Sequence, residues 1–291
     1  MLAPKIIIRE LSQSEFPPRL MEIPQIPKKL FLAGELPGED YKYLCVVGAR
    51  KYTNYGAEVV KKLISGLAGQ KIVIVSGLAL GIDTLAHREA LEAGLPTVAV
   101  PGSGLDSKVI YPSTNLKLAE KILEKGGALL SEFEPDFKAT TWSFPQRNRI
   151  MAGLSHAILV IEAEKKSGTL ITARMATDYN RDVLTVPGSI FSSTSEGPHL
   201  LLSLGATPIT SSHDILVALG LDAGETKNLT LNYDDCSPDE KIVIENLDGP
   251  KERDELSRLT DFSISKLNEI LSMMEIKGLI NERGGEIYLN K

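Results

Sequence analysis

A chain of 291 residues, 43% hydrophobic and 24% charged, is long enough for one large domain with a substantial core and a small second domain. Its two cysteines, Cys45 and Cys236, stand far apart and outside any CxxC or Cys/His spacing, which argues against a disulfide framework and a zinc site and fits a reducing cytoplasm. A net charge of −6 argues against non-specific coating of nucleic acid, and no export signal or run of some 18 apolar residues suggests secretion or a membrane span.

Along the chain, residues 1–40 are proline-marked ("FPPRLMEIPQIPKKLFLAGELPG") and read as an extended N-terminal arm wrapping the next domain. From Tyr41 to about residue 220, apolar runs alternate with amphipathic ones: "YLCVVG", "KIVIVSG", "PTVAVPG", "GALLSEF", "AILVIEA" and "DVLTVPG" are strand candidates. Helical patterns separate them, including Gly56–Ala68 and Asp83–Ala93. Continuous β-branched strands expect cover on both faces, so the fold class is α/β, a doubly wound, mostly parallel, extended Rossmann-like sheet. Residues 221–237 read as a polar linker, and 238–291 as three short helices and a Gly-Gly hairpin, a small winged-helix-like domain. Charge is uneven: 5 Lys/Arg against 6 Asp/Glu in residues 1–40, 18 against 16 in 41–220 and 9 against 16 in 221–291, or −1, +2 and −7. A phosphate-binding surface is therefore expected in the middle segment.

In an open parallel sheet, ligands lie outside the C-terminal strand ends. There the chain places "GARKYTNYG" with Gly48, Ala49, Arg50 and Lys51, then "SGLALGIDTLAH" with Ser76, Gly77, Gly81 and a helix capped by Asp83. Further on come "PGSGLDSKVIYP" with Lys108 and "EAEKKSGTLITA" with Lys165, Lys166, Ser167, Gly168 and Thr169. None is a GxGxxG fingerprint or a P-loop. Glycine turns that feed helix N-termini expose N–H groups to phosphate, and adjacent cations strengthen the hold. A row of such turns suits a polyphosphate strand better than one mononucleotide. "FPQRNRIMAGLS" adds Arg147 and Arg149 around Asn148 near a helix start, with Phe144 and Trp142 as aromatic surfaces on which bases could stack.

The motifs "VVGARKYTNYG", "VSGLALGIDTLAHREAL", "FPQRNRIMAGLS", "KKSGTLITARMA" and "VPGSIFSSTSEGPHLLLSLGA" occur in the order and spacing of the DNA-processing protein A family (DprA, also called Smf), which the chain resembles over roughly residues 14 to 216. The resemblance implies an extended Rossmann-like protein that binds single-stranded DNA, loads the recombinase RecA onto it in natural transformation and forms a homodimer. It implies no catalytic activity and no cofactor. It gives Arg50, after Gly48 and Ala49, the role of a phosphate ligand, and matches the family's Phe-x-x-Arg-Asn-Arg to Phe144, Arg147, Asn148 and Arg149. Ala49 stands where serine is commoner, and Thr141 where some members carry a DNA-contacting lysine that Lys138 could replace.

Structural roles compete for several of these residues. Arg149 could pair internally with Glu132 or Glu162, leaving Arg147 as the cation facing DNA, and Phe144 and Trp142 could belong to the core. His87 lacks a neighbouring nucleophile and reads as a hydrogen-bonded structural histidine. In the tail, "SISKLNEILSMMEIKG" sets Lys266 and Lys277 against Glu269 and Glu275, which fits protein contact better than duplex binding. The competing function is a nucleoside monophosphate phosphoribohydrolase of the lysine-decarboxylase-like group, although neither "PGSGLDSK" nor "KSGTLITA" carries that group's loop.

Overall fold

Each of the six apolar runs forms a strand, because a continuous run of β-branched and aliphatic side chains can be buried on both faces at once. The computed structural model describes residues 6–221, 236–247, 249, 251–277, 279–283 and 285–289. Two units are distinguished, Met1–Leu221 and Asp222–Lys291.

In the first unit the order is β1 (Ile8–Glu10), β2 (Phe31–Gly34), β3 (Lys42–Val47), α1 (Asn54–Ser65), β4 (Ile72–Ser76), α2 (Ile82–Glu92), β5 (Thr97–Ala99), α3 (Leu116–Glu124), β6 (Ala128–Ser131), α4 (Ser143–Leu154), β7 (Ala157–Val160), α5 (Thr169–Asp178), β8 (Asp182–Thr185), α6 (Glu196–Ser203), β9 (Thr207–Pro208) and α7 (Ser212–Ala218). The strands form one sheet in the order β1-β2-β6-β5-β4-β3-β7-β8-β9. From β6 to β9 every neighbouring pair is parallel. The first two strands join antiparallel, Leu32 opposite Leu130 and Arg9 opposite Leu32.

The segment expected as an extended arm thus contributes two antiparallel strands, β1 at the edge of the sheet and β2 next to it, and two short 3-10 turns, Gln13–Glu15 and Pro18–Glu22. Leu20 and Ile23, both buried, close over α4 at Gly153, where an added Cβ would lie 2.8 Å from Ile23 and 2.9 Å from Leu20. Helix α4 is consequently enclosed: every residue from Arg147 to Leu154 is buried. The Pro18–Glu22 turn of the arm packs directly against it.

In the second unit, α8 (Pro238–Glu245), β10 (Lys251–Glu252), α9 (Arg253–Thr260), α10 (Ile264–Ile276), β11 (Ile280–Arg283) and β12 (Glu286–Leu289) give three helices and an antiparallel sheet ordered β10-β12-β11. Val243, Leu256, Leu267, Met274 and Ile287 form its own core. Most of the expected linker, residues 222–235, lies outside the described residues.

Candidate functional site

From β3 the sheet grows outward through β4, β5 and β6, then the chain returns and lays β7 on the opposite flank of β3. Loops leaving β3 and β7 therefore diverge, which opens a crevice at their C-terminal ends. A cleft of about 260 Å³ occupies this point, lined by Gly48 and Arg50 after β3, by Ser167, Gly168 and Thr169 after β7, and by Phe144, Arg147 and Asn148 of α4. Across it, the Thr169 hydroxyl donates to the Gly48 carbonyl at 3.2 Å and ties the two loops together.

The loop bearing Arg50 is fastened by Glu162, buried just beyond the end of β7. Its carboxylate accepts from the Thr53 N–H at 2.9 Å, the Thr53 hydroxyl at 2.5 Å and the Thr194 hydroxyl at 3.1 Å. Thr53 in turn caps α1, accepting from the Gly56 N–H at 3.2 Å. A carboxylate at a helix N-terminus is favoured by the helix dipole. A side chain at position 56 would collide with Glu162, which is why glycine stands there.

Arg50 itself is exposed, with its guanidinium carbon 5.6 Å from the centre of the Phe144 ring. The ring also meets Tyr111, centroids 5.6 Å apart, and rests on Gly102, where an added Cβ would come within 2.6 Å of it. Arg147, by contrast, is only 5% exposed. Its guanidinium lies against Gly77 and donates to the Val100 carbonyl, close to the buried Asp83. Asp83 accepts from the Gly77 N–H at 3.1 Å. Burial raises the Asp83 pKa and lowers that of Arg147, and each charge opposes the shift of the other. Expected as the outward cation, Arg147 is a floor group of the cleft, because the strand ends beneath it offer a carbonyl and a carboxylate.

Two residues on, Arg149 forms a buried ion pair with Glu132 and donates to the Gln25 carbonyl. Residues i and i+2 of a helix do not share a face, so one arginine reaches the sheet end and the other the arm. Of the remaining sequence-derived candidates, Ser76 is buried and donates to the Val46 carbonyl at 2.7 Å, a strand-to-strand tie. The Ala49 carbonyl receives the Ile82 N–H at 3.2 Å. Gly77 lines a smaller recess beside the cleft, and Lys166 is exposed on the loop ahead of α5, outside the cleft lining.

Two residues take roles that the sequence reading did not assign. Asp83 was expected to cap α2, yet the position before the helix is Gly81, at φ +88°, and Asp83 sits in the first turn with its carboxylate turned back to Gly77. Glu162 appeared only as a partner for Arg149, though a glutamate ending the apolar run "AILVIEA" is itself a sign of a buried carboxylate at a strand end. His87 is buried with Nδ1 2.7 Å from the Thr97 hydroxyl, and burial lowers its pKa to about 3, so it stays neutral. Among the described residues no group of three His, Cys, Asp or Glu side chains could hold a metal ion.

A family model described as DNA recombination-mediator protein A matches residues 7–220. Protein Smf of Escherichia coli is 43% identical over 206 residues, which are 70% of this chain and 54% of that protein, so the chain spans about half of that relative's length. The structure of DNA processing protein A from Streptococcus pneumoniae superposes with a TM-score of 0.67 at 41% identity, covering 72% of this chain and 74% of that one. That of DNA processing protein A from Helicobacter pylori, solved for its single-stranded DNA binding mode, gives 0.66 at 30% identity, covering 75% and 97%.

Proposed function

The chain belongs to the DNA recombination-mediator protein A family, and we propose that it is a non-catalytic mediator that binds single-stranded DNA in the cleft at the ends of β3 and β7. The observation that carries this reading is the exposed Arg50 over Phe144 at the rim of a cleft opened by glycine-containing turns after two adjacent strands. Phosphate oxygens meet Arg50 and the N-terminus of α5, where Gly168 and Thr169 begin the helix. Lys165 and Lys166 add positive charge on the approach, and Arg147 contributes from beneath, partly offset by Asp83. The Helicobacter pylori relative, which binds single-stranded DNA, supports the same ligand here.

Single strands are favoured over duplex because the second unit, which we read as a winged helix, has the cations of α10 engaged. Lys266 meets Asp239 at 2.9 Å and lies over the Phe262 ring at 4.3 Å, and Lys277, at the end of the helix, holds Glu240 at 2.8 Å. The reading extends to the family's role of loading RecA onto the strand during natural transformation, to a cytoplasmic location and to a homodimer. The α5–α6 face suits self-association: Leu200 and Leu204 are exposed beside a 440 Å³ groove shared with Leu170, Val183 and Ala206. Among the described residues no helix is long and apolar enough to cross a membrane.

A gel-shift titration with single- and double-stranded oligonucleotides of one sequence tests the reading. The single strand shifts at the lower protein concentration, and Arg50→Ala weakens that shift. Equal shifts, or a preference for duplex, would overturn it, and release of free base from nucleoside monophosphates would support the phosphoribohydrolase instead.

A further inference from the structure

Trp142 is the single tryptophan of the chain, and it is 53% exposed immediately before α4, two residues ahead of Phe144. It is exposed yet firmly seated. Its ring leans edge-on against Phe133 at 5.8 Å and Phe137 at 5.6 Å, and those two rings stack on each other at 4.6 Å with 18° between their planes. The adjoining Ser143 pins the loop: its hydroxyl donates to the Gly102 carbonyl at 2.6 Å and accepts the Thr140 N–H at 3.0 Å. Phe144 is less available, because its ring is wedged among Gly102, Tyr111 and the Arg50 guanidinium. The larger open aromatic surface on this side of the cleft belongs to Trp142. Lys138 is an exposed cation of the same loop, next in sequence to Phe137.

We infer that Trp142 is a base-stacking surface for the strand, one nucleotide or more beyond the cleft, with Lys138 facing an adjacent phosphate. The inference rests on the single-stranded DNA reading above. Single-strand binders combine a cationic track with aromatic platforms, and stacking needs no base identity because every base has a π-face. An indole held on a rigid aromatic base meets that need without ordering a mobile side chain on binding.

Having one tryptophan, the chain reports on this residue alone through its indole emission. The full chain is titrated with oligothymidylate while emission is recorded, and in parallel a dye-labelled copy of the oligonucleotide reports binding by anisotropy. The expected result is saturable quenching with the same midpoint as the anisotropy rise. Trp142→Ala then weakens binding roughly fivefold or more, and Trp142→Phe recovers most of the loss. An anisotropy rise with unchanged emission would leave DNA binding standing and remove the stacking role; no rise would remove both. Emission that changes with protein concentration but not with DNA would place Trp142 between copies of the chain and overturn the inference. The emission titration uses the unaltered protein, so a variant that fails to fold does not decide the outcome.

Discussion

Arg147 and Arg149 sit two residues apart in α4, and neither is a free surface cation. Arg149 forms an ion pair of which both partners are less than 10% exposed, so deleting one partner strands a buried charge. Arg149→Ala is expected to cost about 3 kcal/mol or more in denaturant unfolding and to leave the salt dependence of DNA binding unchanged. Arg50→Ala, at an exposed position, is expected to do the reverse: little loss of stability and weaker binding. The histidines give a pH signature. His87 has its pKa lowered to about 3 by burial, and half-buried His156 is lowered to about 4 by burial and the nearby Arg19, Lys42 and Arg181 charges. The unfolded chain takes up these protons near pH 6.5 and the folded chain does not, so stability is full above that pH and declines as pH falls toward 4. For His87 the loss is on the order of 2 kcal/mol by pH 5, and thermal unfolding of His87→Gln should show a flatter profile over that range. At this scale the sequence identified which residue types gather at the cleft but not which arginine turns where. That outcome depends on Val100 and Glu132, just past the ends of β5 and β6, and on Asp83 in the first turn of α2, which only the tertiary fold brings to α4.

The β3–α1 loop and the start of α5 make the site, tied together by the Thr169–Gly48 bond, and Glu162 fastens the first of them. Glu162→Ala leaves the Thr53 N–H and hydroxyl without their acceptor, costing about 1–3 kcal/mol. It should also weaken single-strand binding although the residue does not line the cleft. Unfolding and anisotropy measured on the same preparation check both effects; full affinity with reduced stability would mean the loop holds Arg50 without this anchor. Six of the seven parallel strands, β3 to β8, were legible in the sequence because a strand buried on both faces carries its signal in every residue. The two strands of the arm were not. "IRE" at β1 is mostly exposed and three residues long, and β2 pairs antiparallel with a strand nearly a hundred residues later, so nothing local marks either of them.

The two units divide the charge of the molecule, with the acidic second unit holding the two cations of α10, Lys266 and Lys277 at its end, in internal pairs. A chain ending at residue 221 is therefore expected to keep its single-strand affinity. What the sequence showed of that second unit was its helices and hairpin; what it did not show was that these lysines are engaged by Asp239 and Glu240 of α8. The central claim, that phosphates are bound at the strand ends of the first unit, has its most direct test in the slope of log Kobs against log salt for an oligonucleotide. Three to five phosphate contacts at roughly 0.7 each give a slope of about −2 to −4, shallower by about 1.4 in Arg50→Ala/Lys166→Ala. A slope near zero, or a double variant that binds as the parent does, would contradict the account.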